Sequence, residues 1–227
     1  MAGARLVRRL RAVAEREAQR RKRDEPKERF SLEALAGEHA PQLAAMRDLA
    51  NWIHLMCARQ SGKTWADLGI LLDNGIARPN SIGLFLGLKG TGVRIAAWTV
   101  WRRLCERFSI DAVHNETEMR TTFPNGARVM FAGTDDLTNI KKYLGNRLDG
   151  GVVIIDESQD QPDAVLRYLL KTLLPPMCTP TTRVILSGVL PDVPAGYFYE
   201  LAADKPLAEA PELAQSKGWS HHEWGRA

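Results

Sequence analysis

The sequence contains no run of eighteen or more apolar residues, which excludes a helical membrane span, and its first thirty residues lack the apolar stretch of a secretory signal. A cytoplasmic protein is therefore expected. Cysteine is scarce: Cys57, Cys105 and Cys178 are odd in number and far apart, which suits neither a disulfide framework nor a zinc cluster, and they are expected to be reduced and partly buried. There is no internal repeat. Charge of one sign is also missing from most of the chain. Residues 1–30 hold eleven Lys/Arg against five Asp/Glu, and the rest holds 20 against 22, so the net +4 belongs to the N-terminal segment. The remainder shows no basic stripe of the kind that grips nucleic acid. What is present, 44% hydrophobic and 26% charged over 227 residues, is enough for one sizeable core plus an appendage.

Residues 1–30 read as an Arg-rich helical arm, with Leu6, Leu10 and Val13 at helical spacing and a break at Pro26. Such an arm suits contact with nucleic acid or a partner, and its composition equally suits a solvated, frayed helix. A second helix starts after Ser31 and a third at Pro41. Trp52 to Cys57 is a short apolar strand that turns into a helix carrying Trp65, Leu68, Leu71 and Leu72, which Asp73-Asn74-Gly75 should end. Ser81 to Leu86 is the next strand, followed by an amphipathic helix over Val93 to Phe108 whose Trp98 and Trp101 are expected in the core. Thr117–Phe123 and Arg128–Ala132 flank Pro124-Asn125-Gly126, the signature of a hairpin. Val152–Ile155 and Val184–Leu186 are continuous apolar runs, as expected of strands covered on both faces, with a helix over 163–174 between them. The alternation predicts an α/β fold: a mostly parallel central sheet flanked by helices, with an appended β-hairpin.

Two motifs carry chemistry. Cys57-Ala58-Arg59-Gln60-Ser61-Gly62-Lys63-Thr64 has the span and the Gly-Lys-Thr end of a Walker A loop, with Cys57 where the first glycine usually stands. The loop and helix N-H groups would cradle phosphates, Lys63 would reach the β and γ phosphates of ATP, and Thr64 would bind Mg²⁺. Val152-Val153-Ile154-Ile155-Asp156-Glu157 is an apolar strand ending in two carboxylates. Asp156 fits a Walker B partner for the Mg²⁺ shell, and Glu157 is placed to deprotonate an attacking water. A glutamate directly after the aspartate, with strand sequence between the motifs, points to the ASCE, RecA-like type of P-loop NTPase, which couples hydrolysis to mechanical work.

From about Pro41 to Trp224 the residues resemble the ATPase domain of a tailed-phage terminase large subunit, the motor that pumps viral DNA into a procapsid. The resemblance gives Arg59, inside the loop, the role of γ-phosphate sensor, and gives Gln42, upstream of the loop, that of adenine recognition. It makes Ser187-Gly188, at the end of the next strand, a coupling motif. The family's Arg-Gly pair before Walker B is Leu144-Gly145 here, with Lys141 and Lys142 before it, so Arg147 is the candidate for a finger acting in a neighbouring subunit's site. The resemblance implies double-stranded DNA as substrate, self-association as a ring, portal and small terminase subunits as partners, and no membrane. It places the protein in the host cytoplasm, not in the virion.

The same resemblance divides the chain into an arm (1–30), an ATPase domain (31–215) and a linker (216–227) toward a nuclease domain, so no nuclease activity is expected of these residues. His221 and His222 point opposite ways on an extended segment and read as an interdomain contact, not metal ligands. Two other readings stay open: a helicase-like ATPase, because Asp156-Glu157-Ser158-Gln159-Asp160 resembles helicase motif II, and a nucleotide-binding assembly module that does not hydrolyse.

Overall fold

The computed structural model describes residues 28–137, 140, 147–189, 195–202 and 219–225. Most of the basic arm, together with Lys141, Lys142, Leu144 and Gly145, lies outside the described residues.

Helix α1 (Leu32–Ala36) begins where the Ser31 hydroxyl accepts the N–H of Ala34, and α2 (Ala40–Arg47) begins with His39 accepting the N–H of Gln42. Strand β1 (Trp52–Cys57) leads into α3 (Lys63–Ala77) and then β2 (Ile82–Gly87). Helix α4 (Gly90–Val93) continues through a π-helical turn, Arg94–Trp98, into α5 (Thr99–Arg107). After β3 (Val113–Asn115), β4 (Arg120–Thr122) and β5 (Arg128–Gly133) come β6 (Val152–Ile155) and α6 (Asp163–Tyr168). Helix α6 runs on through a second π turn, Leu169–Leu173; β7 (Arg183–Gly188), α7 (Tyr197–Ala202) and β8 (Trp219–Trp224) follow.

One eight-stranded sheet has the order β3-β4-β5-β2-β6-β7-β1-β8. Its six strands from β5 to β8 are parallel, while β4 pairs antiparallel with β5 and β3. Alternate side chains of each strand go to opposite faces. Ile53, Leu55, Phe85, Phe131, Ile154 and Ile185 meet the apolar faces of α1 to α5, whereas Met56, Leu84, Leu86, Ile155 and Leu186 meet those of α6 and α7. Both faces are covered, which is why the strands read as unbroken apolar runs. Trp98 and Trp101 are buried in the first layer, Trp101 donating to the hydroxyl of Thr121. Cys57, Cys105 and Cys178 are free thiols.

Three expectations shift. Asp73-Asn74-Gly75 does not end α3: the Asn74 amide donates to the Gly150 carbonyl at 2.9 Å, and Gly75 lies against Phe123, where a Cβ would approach a ring carbon to 2.6 Å. Tertiary contacts thus satisfy residues that in isolation would favour a stop. Thr117–Met119 is a turn, closed by the Asn115 side chain accepting the N–H groups of Thr117 and Glu118, and the strand begins only at Arg120. Trp219–Trp224, expected to lead out of the domain as a linker, is instead the edge strand β8, paired with β1 along its whole length.

Side chains on both faces of β8 fasten it. His222 lies 2.7 Å from Asp48 Oδ2 on one side. On the other, His221 stacks on His54 of β1, with the two Nδ1 atoms 3.0 Å apart, and its Nε2 lies 2.8 Å from Glu223. The histidine contacts therefore fall within the sheet itself. His54 Nε2 is 3.2 Å from the Phe198 carbonyl and must donate to it, so Nδ1 of His54 accepts from His221. Burial, reinforced by the charge of His221, lowers the His54 pKa from 6.5 to about 4, against the Phe198 carbonyl and Glu223, which favour its protonation. The unfolded chain takes up this proton near 6.5 and the folded chain only near 4, so acid favours unfolding across that window. Stability should fall by about 3 kcal/mol between pH 6.5 and 4 on this account. Denaturant melts at a series of pH values should show that loss, and His54→Gln should flatten it.

Candidate nucleotide site

All six parallel strands end at the same edge, so the loops after β1, β6 and β7 converge there, with β7 lying between β1 and β6. The loop after β1 runs from Ala58 to Gly62. Gln60 (φ 59°) and Gly62 (φ 83°) are left-handed, which curls the backbone tightly enough for α3 to start at Lys63. Glycine takes that conformation freely; Gln60 is uncommon in it. Gly62 caps α3 without a side-chain hydrogen bond, so the helix presents its first N–H groups and the positive end of its dipole to whatever lies before it.

The loop is held from outside. The Gln42 amide donates to the Gly62 carbonyl at 2.7 Å, the Trp224 indole donates to the Ser61 carbonyl at 2.8 Å, and the Ala58 N–H donates to the Trp224 carbonyl at 2.9 Å. A pocket of about 570 Å³ opens on the other side, lined by Ala58 to Trp65, Glu157, Asp160 and Val189. Lys63 is buried, with Nζ 3.4 Å from Asp156 Oδ1 and 3.7 Å from Glu157 Oε1. Burial alone would discharge this amine. The negative charges of Asp156, foremost, and Glu157 outweigh it and hold the pKa above its usual value, so Lys63 is a cation.

The structure gathers Ala58, Arg59, Gln60, Ser61, Gly62, Lys63, Thr64 and Glu157 on one pocket, with Asp156 at its floor beside Lys63. It sets other candidates apart. Cys57 is the last residue of β1 and is buried in the core; burial pushes its thiol up to about 12, so it neither lines the pocket nor supplies a thiolate. Gln42 is buried under the loop, gripping the Gly62 carbonyl, and is not in the pocket wall. Arg147 precedes β6 and is exposed at the end of that strand opposite Asp156, away from its own chain's pocket. Ser187 is fully buried in β7, opposite Leu55 of β1.

Two residues escape a reading by motif. Trp224 comes from the far end of the chain, and only the pairing of β8 with β1 brings it to Ser61. Asp67 sits on the buried face of α3, three residues after Thr64, with no exposed surface. Burial, with the charge of Asp156, raises its pKa well above the carboxylate range. Neither its oxygens nor Ser187 Oγ makes a hydrogen bond of ordinary geometry, although the hydroxyl lies close enough to oppose that rise. A carboxylate interrupting the apolar stripe of α3 was the signal available for it.

No family model matches the sequence, and no curated protein matches it. Solved structures do. The large terminase of a thermophilic bacteriophage superposes with a TM-score of 0.64 at 14% identity, over 81% of this chain and 45% of that one. The ATPase domain of the Thermus phage P74-26 large terminase gives 0.60 at 18% identity, over 85% and 83%. The fold is that of phage large-terminase ATPase domains. The HK97 bacteriophage large terminase gives 0.56 at 13% identity, over 80% and 37%, so this chain spans less than half of that protein and of the first. The first of these three terminases has been solved with ADP and with ATP-gamma-S.

In this terminase-type fold the Ala58–Gly62 loop depends on β8 for part of its support. Trp224→Phe keeps the ring in the core but removes the bond to Ser61, and should cost about 1 kcal/mol; Gln42→Ala should cost a similar amount. Denaturant unfolding of the two variants and the parent measures both losses.

Proposed function

We propose that this chain is the ATPase domain of a viral genome-packaging motor, of the ASCE, RecA-like type, hydrolysing ATP with Mg²⁺ to move double-stranded DNA into a procapsid. One observation carries the reading: a buried lysine at an uncapped helix N-terminus, bracketed by two carboxylates from the end of a strand two places away. A cation held by Asp156 and Glu157 over a cradle of N–H groups suits a polyphosphate, which can take the lysine from the carboxylates. The described residues hold no group of three or more His, Cys, Asp or Glu fit to bind a metal alone. Mg²⁺ would thus be held by Thr64 and Asp156 together with the nucleotide's phosphates, where it would neutralise charge on the transferred group.

Arg59 lines the pocket and is assigned to the γ phosphate. Glu157, half-exposed at the pocket wall, takes the proton of the attacking water. The water oxygen bonds to the γ phosphorus as the bond to the bridging oxygen breaks, leaving ADP and phosphate. Ser187, buried beside Asp67 and next to Gly188, is assigned to relay that change along β7. Gln42 holds the Gly62 carbonyl through its amide nitrogen, which favours a role in shaping the loop beside its assignment to adenine.

Arg147, exposed and outside the lining of its own chain's pocket, is assigned to a neighbour's site, in a ring of copies working with portal and small terminase subunits. A near-neutral domain 31–215, with its β4–β5 hairpin as an appendage, would then grip DNA through several copies and not alone. Among the described residues no helix is long and apolar enough to cross a membrane.

Glu157→Gln should reduce ATP turnover by about 100-fold or more while leaving ATP affinity within about threefold. Lys63→Ala should weaken both. Steady-state phosphate release and equilibrium titration with a fluorescent ATP analogue measure the two quantities, and near-normal turnover by Glu157→Gln would remove the assignment.

A further inference from the structure

Gln159 stands in the short 3-10 turn, Ser158–Asp160, that follows Glu157. Its side-chain amide is engaged through both of its polar atoms. Nε2 donates to Glu157 Oε2 at 2.6 Å and to Asp160 Oδ2 at 2.8 Å, while Oε1 accepts the backbone N–H of Val189 at 2.9 Å. These partners fix the orientation of the amide, because turning it over would set its oxygen against two carboxylates and its NH₂ against an N–H.

Val189 directly follows Ser187-Gly188 at the end of β7. Glycine at 188 leaves the room this bridge needs: a Cβ there would lie 2.6 Å from Gln159 Oε1. Glu157 has a left-handed backbone (φ 52°, ψ 40°), a conformation that residues other than glycine adopt rarely and that aims its carboxylate back over the pocket. That carboxylate is held at both ends, with Oε1 3.7 Å from Lys63 Nζ and Oε2 on Gln159.

We propose that Gln159 is a positioning residue for Glu157, fixing the carboxylate that receives the water proton and tying its orientation to the end of β7 through Val189. The inference rests on the reading of Glu157 as the base. When Lys63 turns to a phosphate, Oε1 loses its cation, but Gln159 keeps Oε2 in place. Oε1 is then the oxygen presented to water. Any swing of Glu157 must stretch the bond to Gln159 or pull on Val189, so the strand end that carries Ser187 feels the state of the base through one side chain.

Two variants of the full chain test this. Gln159→Glu keeps an acceptor for Val189 but turns a like charge on Glu157; Gln159→Met matches the length and removes the donors without adding charge. Both should lower kcat at least about tenfold, with the Kd for ATP within about threefold of the parent and an unchanged melting temperature. Parental kcat in both variants, or losses of turnover and binding in proportion with a lowered melting temperature, would overturn the proposal, the second pattern being that of a merely structural contact. Absence of turnover in the parent itself would overturn the reading of Glu157 as base, and this inference with it. Turnover in the parent with no change in either variant overturns the inference alone.

Discussion

A buried ammonium group requires counter-charge, and the amine of Lys63 finds it in Asp156 and Glu157. That requirement joins the start of α3 to the end of β6 across the intervening β7, and the architecture follows from it. β1 must deliver its loop at the same edge where β6 delivers its acids, and the parallel pairing of both with β7 brings them there. The apolar layers on the two faces hold these strand ends in register, leaving only the edge itself for polar chemistry.

Support for the loop comes from elements far apart in sequence. Gln42 from α2 and Trp224 from β8 take up successive carbonyls, Gly62 and Ser61, and the N-terminus of α3 stays open toward the pocket. β8 in turn depends on His54, kept neutral by burial, and on His222 against Asp48. A pull on the strand that ends at Trp224 would therefore reach the Ala58–Gly62 loop directly. Behind the loop, Asp67 and Ser187 place two poorly satisfied polar groups between α3 and β7, where a fully apolar contact would have been more stable. Natural folds concentrate such unfavourable features where function is carried out.

Much of this was legible from local pattern. β1, β2, β5, β6 and β7 announced themselves because their covered faces make them read as apolar runs, and the loop and the acid pair because each stands directly at the end of such a run. What the sequence hid depends on distant partners. β8 carries Ser220, His221, His222 and Glu223, a polar string that reads as a linker until His54, Asp48 and Ser61 are brought beside it. Helix α3 passes through Asn74-Gly75 because Gly150 and Phe123 are waiting there. Gln42 looked like a ligand-facing residue, and only the fold shows its amide turned onto the loop. Gln159, legible only as part of a helicase-like run, gives no local sign of its contacts because one of its partners is Val189, far downstream of it in the chain.

The most direct test of a nucleotide displacing the carboxylates from Lys63 is calorimetric titration of the chain with ATP-gamma-S, in the presence and absence of Mg²⁺. One nucleotide should bind per chain, more tightly with Mg²⁺, and Lys63→Met should weaken binding at least about tenfold. No binding, or binding of equal strength by the parent and Lys63→Met, would contradict it.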